Sequence, residues 1–144
     1  DNRVLYFSTH QYPYYPGTGS LQEIGEGKGE GYTVNVPLNI GNGNEEYANI
    51  FRHILTPIAL DYKPEIILVS AGFDIHEGDP LGGMNVTDTG FARLTDILMD
   101  ISAKICNNKI VFTLEGGYNV EEEAKALIKI IHTLEGDIPF DRET

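Results

Sequence analysis

The segment SAGFDIHEGDPLGG, from Ser70 to Gly83, directly follows the apolar run IILVS. A carboxylate at Asp74, just past the end of that run, could bind a metal ion or orient a catalytic base. It could equally cap a turn, which is the common role of an aspartate in a loop. His76 follows two residues later, so Asp74 and His76 form a possible ligand pair. Two ligands alone are weak support for a catalytic metal centre, which usually has three protein ligands.

A second residue whose side chain could take part in catalysis is Tyr118, in the segment LEGGYN. Gly116 and Gly117 remove side chains beside it, so another group can approach the backbone closely. The tyrosine hydroxyl could then donate a hydrogen bond to a developing oxyanion. The alternative is a turn whose tyrosine packs on the edge of a sheet.

The segment STHQYPYYPG, from Ser8 to Gly17, contributes an imidazole and several aromatic rings. Its tyrosines, which include Tyr14 and Tyr15, could wall a slot for an alkyl chain, although packing onto the core is the more common role. His10 could be a ligand or a base, but a histidine with both ring nitrogens hydrogen-bonded inside the protein is more common.

Phosphate binding and serine nucleophiles are both disfavoured by the sequence. The glycine-rich GEGKGEG, residues 25–31, lacks the GxxxxGK[ST] pattern and precedes a strand, where a phosphate loop would lead into a helix. The surroundings of Ser20 do not form a GxSxG nucleophile elbow. A nucleotide-binding α/β domain is therefore a distant alternative.

Strand and helix patterns alternate along the chain, which predicts an α/β fold with a parallel sheet and flanking helices. Strands are predicted at 4–8, 32–36, 66–70 and 109–115, with Pro37 ending the second. Helices are predicted at 45–62, 87–105 and 120–134. The first helix would be capped by Asn44 and kinked at Pro57, and the second would be capped by Thr87 or Asp88. The unbroken apolar run IILVS predicts a strand that is buried on both faces. The polar and glycine-rich segments follow strand ends, where parallel sheets place their ligands.

Composition describes a globular protein with an acidic surface. The 144 residues suffice for one domain. The formal net charge of −12 disfavours nucleic-acid binding and would attract basic peptides or polyamines, although solubility alone explains it at least as well. No apolar run predicts a membrane span and no signal peptide is visible. The lone Cys106, predicted in the core, suits a reducing intracellular compartment, cytoplasmic or nuclear. The start at a strand without Met indicates a cut chain.

Four motifs together resemble the second half of a zinc-dependent histone deacetylase domain, which has the arginase/deacetylase fold. They are THQYPYYPGTG, EIGEGKGEGYTVNVPL, SAGFDIHEGDPLGG and LEGGYN. The last two motifs are similar to those of class II and bacterial members, including acetylpolyamine amidohydrolases and acetoin-utilisation proteins. The resemblance extends from Val4 to about Glu135, so residues 1–144 are identified as the C-terminal part of such a catalytic domain.

The resemblance implies a role for each matching position. Asp74 would be the third zinc ligand, and Tyr118 would polarise the amide carbonyl and hold the oxyanion. The substrate channel would be lined by Tyr14, Tyr15, Leu81, Gly116 and Gly117. A structural monovalent cation, expected to be K⁺, would be held by Ser8 and the backbone at Thr9. A second monovalent cation would be held by Asp1, Val4 and Tyr32.

Two family motifs are absent from the sequence: the D-x-H-H-G motif with the first two zinc ligands, and the catalytic histidine pair. We therefore expect the chain alone to bind zinc weakly and to lack useful activity. Its expected partners are an acetylated lysine peptide or acetylated amine and the missing N-terminal half of the domain. The alternative is a non-catalytic half domain that acts as an interaction module, with homo-oligomerisation through its exposed apolar surface.

Overall fold

The computed structural model describes residues 1–137. The chain divides into two compact units, Asp1–Gly41 and Asn42–Thr144. The C-terminal tail that the sequence predicts to be loose lies, after Asp137, outside the described residues.

The first unit contains two parallel strands, β1 (Tyr6–Gln11) and β2 (Thr33–Leu38), which pair from Tyr6 opposite Thr33 to Gln11 opposite Leu38. The prediction that Pro37 ends the second strand is wrong, since Pro37 lies within β2. Proline lacks a backbone N–H, and a strand with only one neighbour has a free side where that N–H is not needed.

Hydrogen bonds order the connection between β1 and β2. The Glu23 carboxylate accepts the backbone N–H groups of Gly19 and Ser20, each at 3.0 Å, and these bonds lower the pKa of Glu23. The side-chain amide of Asn35 on β2 donates to the carbonyl oxygen of Glu23 at 2.9 Å. A long ordered loop, as predicted, therefore results from contacts within the loop and with the adjacent strand.

The second unit begins with a helix that is irregular at its centre. α1 (Asn44–Ile50) continues through a π-helical turn, Phe51–Leu55, into α2 (Thr56–Tyr62). The sequence predicts a kink at Pro57, whereas the irregular stretch is the π-helical turn, which begins at Phe51, well before Pro57. The N-cap is Gly43 and not the predicted Asn44, whose side chain instead bonds Thr87.

A parallel strand pair and two longer helices complete this unit. β3 (Ile67–Ala71) pairs with β4 (Ile110–Leu114), and α3 (Asp88–Ile105) connects them. α4 (Val120–Glu135) follows β4 and packs against α3. Cys106 is buried, which confirms its predicted place in the core. No helix in the described part of the chain is both long and apolar enough to cross a bilayer.

The sheet of the second unit is covered on one face only. Ile67 packs against a buried cluster formed by Ala48, Ala59, Ile97 and Ile101. On the opposite face, Leu68 is 73% exposed and its neighbour Val111 is 46% exposed. The prediction that this strand is buried on both faces is therefore wrong for the described residues, because only the Ile67 face has helices packed on it.

Thr87 joins the start of α3 to the start of α1, and its replacement by alanine should measurably destabilise the unit. Its hydroxyl accepts the Gly90 N–H at 3.2 Å and the Asn44 side-chain amide at 2.9 Å. We expect Thr87→Ala to lower the free energy of unfolding by about 1–2 kcal/mol, the usual cost of losing an N-cap. Urea denaturation measures the change, with the exposed Thr89→Ala as control. Equal stability of the two variants would contradict this role.

Candidate functional site

Asp74 lies in a short 3₁₀ turn, Phe73–Ile75, directly after β3. The preceding Phe73 anchors the turn, since its ring is buried and stacks on Phe91 with 5.1 Å between ring centroids. The Phe73 N–H also donates to the carbonyl oxygen of Gly116 at 2.5 Å. These contacts bring the segment after β3 together with the segment after β4, as the sequence predicts.

Glycines surround the Asp74 carboxylate. A methyl group on Gly72 would lie 2.9 Å from Oδ1, and one on Gly116 would lie 3.0 Å from Oδ2. A methyl group on Gly82 would overlap the Asp74 carbonyl oxygen. The carboxylate therefore lies in a hollow beside Gly72 and Gly116, where a larger residue would push it aside, and Gly82 must be glycine because a side chain there would overlap backbone.

The electrostatic surroundings of Asp74 favour a cation. Burial raises the pKa of its carboxyl group, and the nearby negative charge of Asp79 raises it further. No salt bridge among residues 1–137 includes Asp74. A half-buried carboxylate without a cationic partner is unfavourable when ionised, and a bound metal ion would relieve that cost. The carboxylate therefore fits the expected role of a zinc ligand.

Tyr47, which the sequence did not single out, adds a second buried polar group near Asp74. Its hydroxyl is fully buried and has no hydrogen-bond partner among the described residues. Burial raises the pKa of Tyr47, and the charge of Asp74 raises it further, which places the two groups within electrostatic reach. An unpartnered buried hydroxyl is uncommon in native proteins, where a water molecule, an ion or another polar group usually bonds it.

Tyr118 lies between β4 and α4 with its side chain 56% exposed. Its backbone N–H donates to Asp79 Oδ2 at 2.8 Å. Of the other predicted channel residues, Leu81 is exposed, whereas Gly117 lies against Phe73 and Glu123. The phenol is thus accessible, and its backbone is held by the loop that follows Asp74.

Asp79 is a second residue at this site that the sequence analysis missed. It is only 9% exposed, and besides Tyr118 it accepts the N–H groups of Leu81 at 2.9 Å and Gly82 at 2.8 Å. An aspartate before Pro80 and two glycines is typical of a turn in which the carboxylate bonds the backbone two or three residues on. That local signal was available, but the long-range bond to Tyr118 was not.

His76 is not arranged as a metal ligand. The Gly78 N–H donates to Nδ1 at 3.0 Å, so this nitrogen is unprotonated and Nε2–H donates to Asp88 Oδ1 at 3.1 Å. Glu122 lies close enough to complete a histidine–carboxylate cluster, but neither ring nitrogen has a free lone pair. The Asp74–His76 ligand pair is therefore not supported by the geometry, and His76 holds its loop to the start of α3.

His10 is likewise fully hydrogen-bonded. Its Nδ1 bonds the hydroxyl of Ser8 at 2.9 Å and its Nε2 bonds the carbonyl oxygen of Gly19 at 2.8 Å. Both Ser8 and Thr9, the predicted contributors to a cation site, lie within β1. A structural role for His10 therefore accounts for all of its contacts.

The residues predicted to hold a second monovalent cation lie together in the first unit. Asp1, Val4 and Tyr32 line one open pocket of about 230 Å³. The Asp1 carboxylate is bonded to Arg3, with 2.6 Å between Oδ2 and Nη2, so the side chain is already paired. The predicted channel residues Tyr14 and Tyr15 are both exposed in the connection between β1 and β2.

Comparison with known proteins identifies the family. A family model described as the histone deacetylase domain matches residues 1–134. The chain belongs to the histone deacetylase family. This agrees with the motif resemblance and with a structure in which parallel strands are flanked by helices.

The similar deacetylases are much longer than this chain. A protein of Archaeoglobus fulgidus named "Probable deacetylase" is 46% identical over 121 residues, which are 84% of this chain and 34% of that protein. The human "Polyamine deacetylase HDAC10" is 41% identical over 143 residues, 95% of this chain and 21% of that protein. A crystal structure of the HDA15 HD domain matches with a TM-score of 0.86 and 41% identity, covering 95% of this chain and 39% of that one.

Proposed function

We propose that this chain supplies the third zinc ligand and the carbonyl-polarising phenol of a zinc-dependent amidohydrolase, which removes acetyl groups from acetyl-lysine or acetylated amines. The observation that carries the proposal is the contact between Asp74 and Gly116, because it joins the acidic turn after β3 to the loop that presents Tyr118. Family membership supports the reaction class.

Each group has a defined task in this reaction. Zinc bound to Asp74 and to ligands from outside this chain would supply a Lewis acid and lower the pKa of a bound water. The hydroxyl of Tyr118 donates a hydrogen bond to the amide carbonyl oxygen and stabilises the negative charge that develops there. Because the Tyr118 side chain is exposed, a substrate carbonyl can reach it without rearrangement of the core.

Among residues 1–137, too few ligands gather around Asp74 for this chemistry. Asp74 is one carboxylate, whereas tight zinc binding needs several deprotonated ligands acting together. The ring nitrogens of His10 and His76 are occupied by hydrogen bonds within the protein. We therefore infer that activity requires the remainder of a deacetylase domain.

The substrate class and the location are part of the same proposal. The net charge of −12 favours a cationic partner, such as an acetylated polyamine or a basic peptide that carries acetyl-lysine. Structural K⁺ would be held by the backbone around Ser8 and Thr9 and, separately, around Asp1, Val4 and Tyr32. The free thiol of Cys106 favours an intracellular location.

A chimaera tests the proposed function directly. In it, this chain replaces the 121 matched residues of the Archaeoglobus fulgidus relative. We expect the purified chimaera to contain stoichiometric zinc after dialysis and to deacetylate an acetyl-lysine peptide, while the isolated chain does neither. A chimaera that holds zinc but shows no turnover on peptide or acetylpolyamine would refute the proposal. If the isolated chain bound zinc tightly and deacetylated the peptide, the inference that activity requires the remainder of the domain would be refuted.

The uncovered sheet face supports a second candidate, a non-catalytic interaction module. Leu68 and Val111 expose apolar surface that favours association. If this candidate holds, the isolated chain will self-associate in sedimentation velocity with rising concentration, and the double variant Leu68→Ser, Val111→Thr will remain monomeric. Ile40→Thr, which removes an exposed apolar side chain in the other unit, is the control. A monomeric wild type at all concentrations would eliminate self-association.

A further inference from the structure

We propose that Asp79 is the positioning residue for Tyr118, an inference that rests on the proposed function of the phenol. The Asp79 carboxylate is buried between two loops and accepts three backbone N–H groups. Two of these belong to its own loop, at Leu81 and Gly82, and the third is that of Tyr118. The bond to Tyr118 fixes the point from which the phenol extends.

The backbone before Tyr118 needs such a fixed point. Gly116 and Gly117 precede it, and glycine has little conformational preference of its own. Residues 115–119 form no helix or strand. The N–H of Tyr118 bonds Asp79 and not another backbone group, so this carboxylate is the hydrogen-bond partner of the residue that carries the phenol.

The loop that carries Asp79 is itself anchored at separate points. His76 binds Asp88 at the start of α3, and the Asn119 side chain donates to the Gly78 carbonyl oxygen at 2.8 Å. Asp79 therefore projects from a fixed loop and transmits that position to Tyr118. This arrangement separates the task of Asp79 from that of Asp88, which holds the same loop without contacting Tyr118.

An ionised carboxylate suits this task better than any other side chain. Its two oxygens accept several hydrogen bonds at once, and bonds to a charged acceptor are stronger than neutral ones. An asparagine has one acceptor oxygen and an NH₂ group that would face a backbone N–H. Asp79→Asn keeps the size of the side chain, and its one oxygen is expected to face Leu81 and Gly82, where it keeps two bonds and loses the bond to Tyr118.

Amide exchange on the isolated 144-residue chain, followed by NMR, tests the proposal without any activity. In Asp79→Asn we expect the Tyr118 amide to exchange roughly ten-fold faster or more, as loss of a charge-assisted hydrogen bond implies. In the matched control Asp88→Asn, the Tyr118 amide should change by less than about two-fold. Unchanged exchange at Tyr118 in Asp79→Asn, or equal acceleration in both variants, would overturn the proposal.

A double-mutant cycle in the chimaera tests the consequence for catalysis. Asp79→Asn should lower kcat by about 10–100-fold, since small displacements of a reacting group have effects of that size, with KM changed far less. In the Tyr118→Phe background, the same change should alter kcat by less than about two-fold. An equal loss in both backgrounds would show a general structural role and refute positioning. An inactive chimaera counts against the proposed function, and the exchange result still decides the role of Asp79.

Discussion

Asp74→Asn is expected to have two opposite effects: a more stable metal-free chain at neutral pH, and loss of zinc-dependent activity in the chimaera. Burial raises the pKa of Asp74, so the ionised carboxylate costs folding free energy unless a cation binds. The neutral amide avoids that cost but is a poor zinc ligand. Activity should fall by more than the ~10–100-fold that loss of an indirect partner of a metal ligand costs.

The pH dependence of this stabilisation follows from the direction of the pKa shift. Above the raised folded-state pKa the carboxylate is ionised in both states, and the wild type carries the full penalty. As pH falls through the raised pKa towards the ordinary aspartate pKa of 3.8, the folded state takes up a proton and the penalty disappears. The stability difference between Asp74→Asn and wild type should therefore shrink to zero at low pH.

Urea denaturation between acidic and neutral pH measures this difference, with the exposed Glu65→Gln as the matched loss of one charge. A carboxylate that merely caps a turn would behave in the opposite way, because its removal would destabilise the chain. Destabilisation by Asp74→Asn at neutral pH would therefore reject the metal-ligand interpretation and favour the turn-cap alternative.

Tyr118→Phe is expected to lower kcat of the chimaera by about 10²–10³-fold, the cost of removing one oxyanion donor. The hydroxyl acts on charge that is present only in the transition state, so KM and zinc content should change little. The side chain is exposed, so the stability of the variant should stay within about 0.5 kcal/mol of wild type.

Steady-state kinetics and zinc analysis of the same preparation check this prediction. Tyr6→Phe, at an exposed tyrosine of the first unit, serves as the control. A raised KM with unchanged kcat would mean that the phenol binds substrate and its transition state equally well. No change at all would mean that the hydroxyl faces away from the reacting carbonyl.

Sequence patterns predicted the elements well because each element has a strong local signal. The helical spacing of apolar residues in α3, with Thr87 before it, predicts that helix almost to the residue. The four strands occur in the predicted order along the chain and pair in parallel; β1, β2 and β3 are displaced by one to three residues, and β4 is one residue shorter at each end. Pro37 shows the limit of a local rule, since whether proline ends a strand depends on which neighbours that strand has.

Long-range features could not be read from local signals. An apolar strand predicts burial, but which elements cover each face depends on the rest of the fold, and Leu68 is exposed in the described chain. The bond from Tyr118 to Asp79 joins residues far apart in sequence, so no spacing rule indicates it. The roles of Asp74 and Tyr118 came from resemblance to a family, because an aspartate or a tyrosine in a loop has many common uses.

The hollow around Asp74 implies an uneven tolerance to mutation. A methyl group at Gly82 would overlap the backbone oxygen of Asp74, and one at Gly72 or Gly116 would press on its carboxylate, so an enlargement at any of the three displaces the same residue. Core positions such as Ile101 accept volume-conserving exchanges, because a neighbouring side chain can repack. In a saturation library, these three glycines should therefore be depleted more completely than the apolar core. As sequences diverge from this chain, substitutions should therefore accumulate at apolar core positions before they occur at these three glycines.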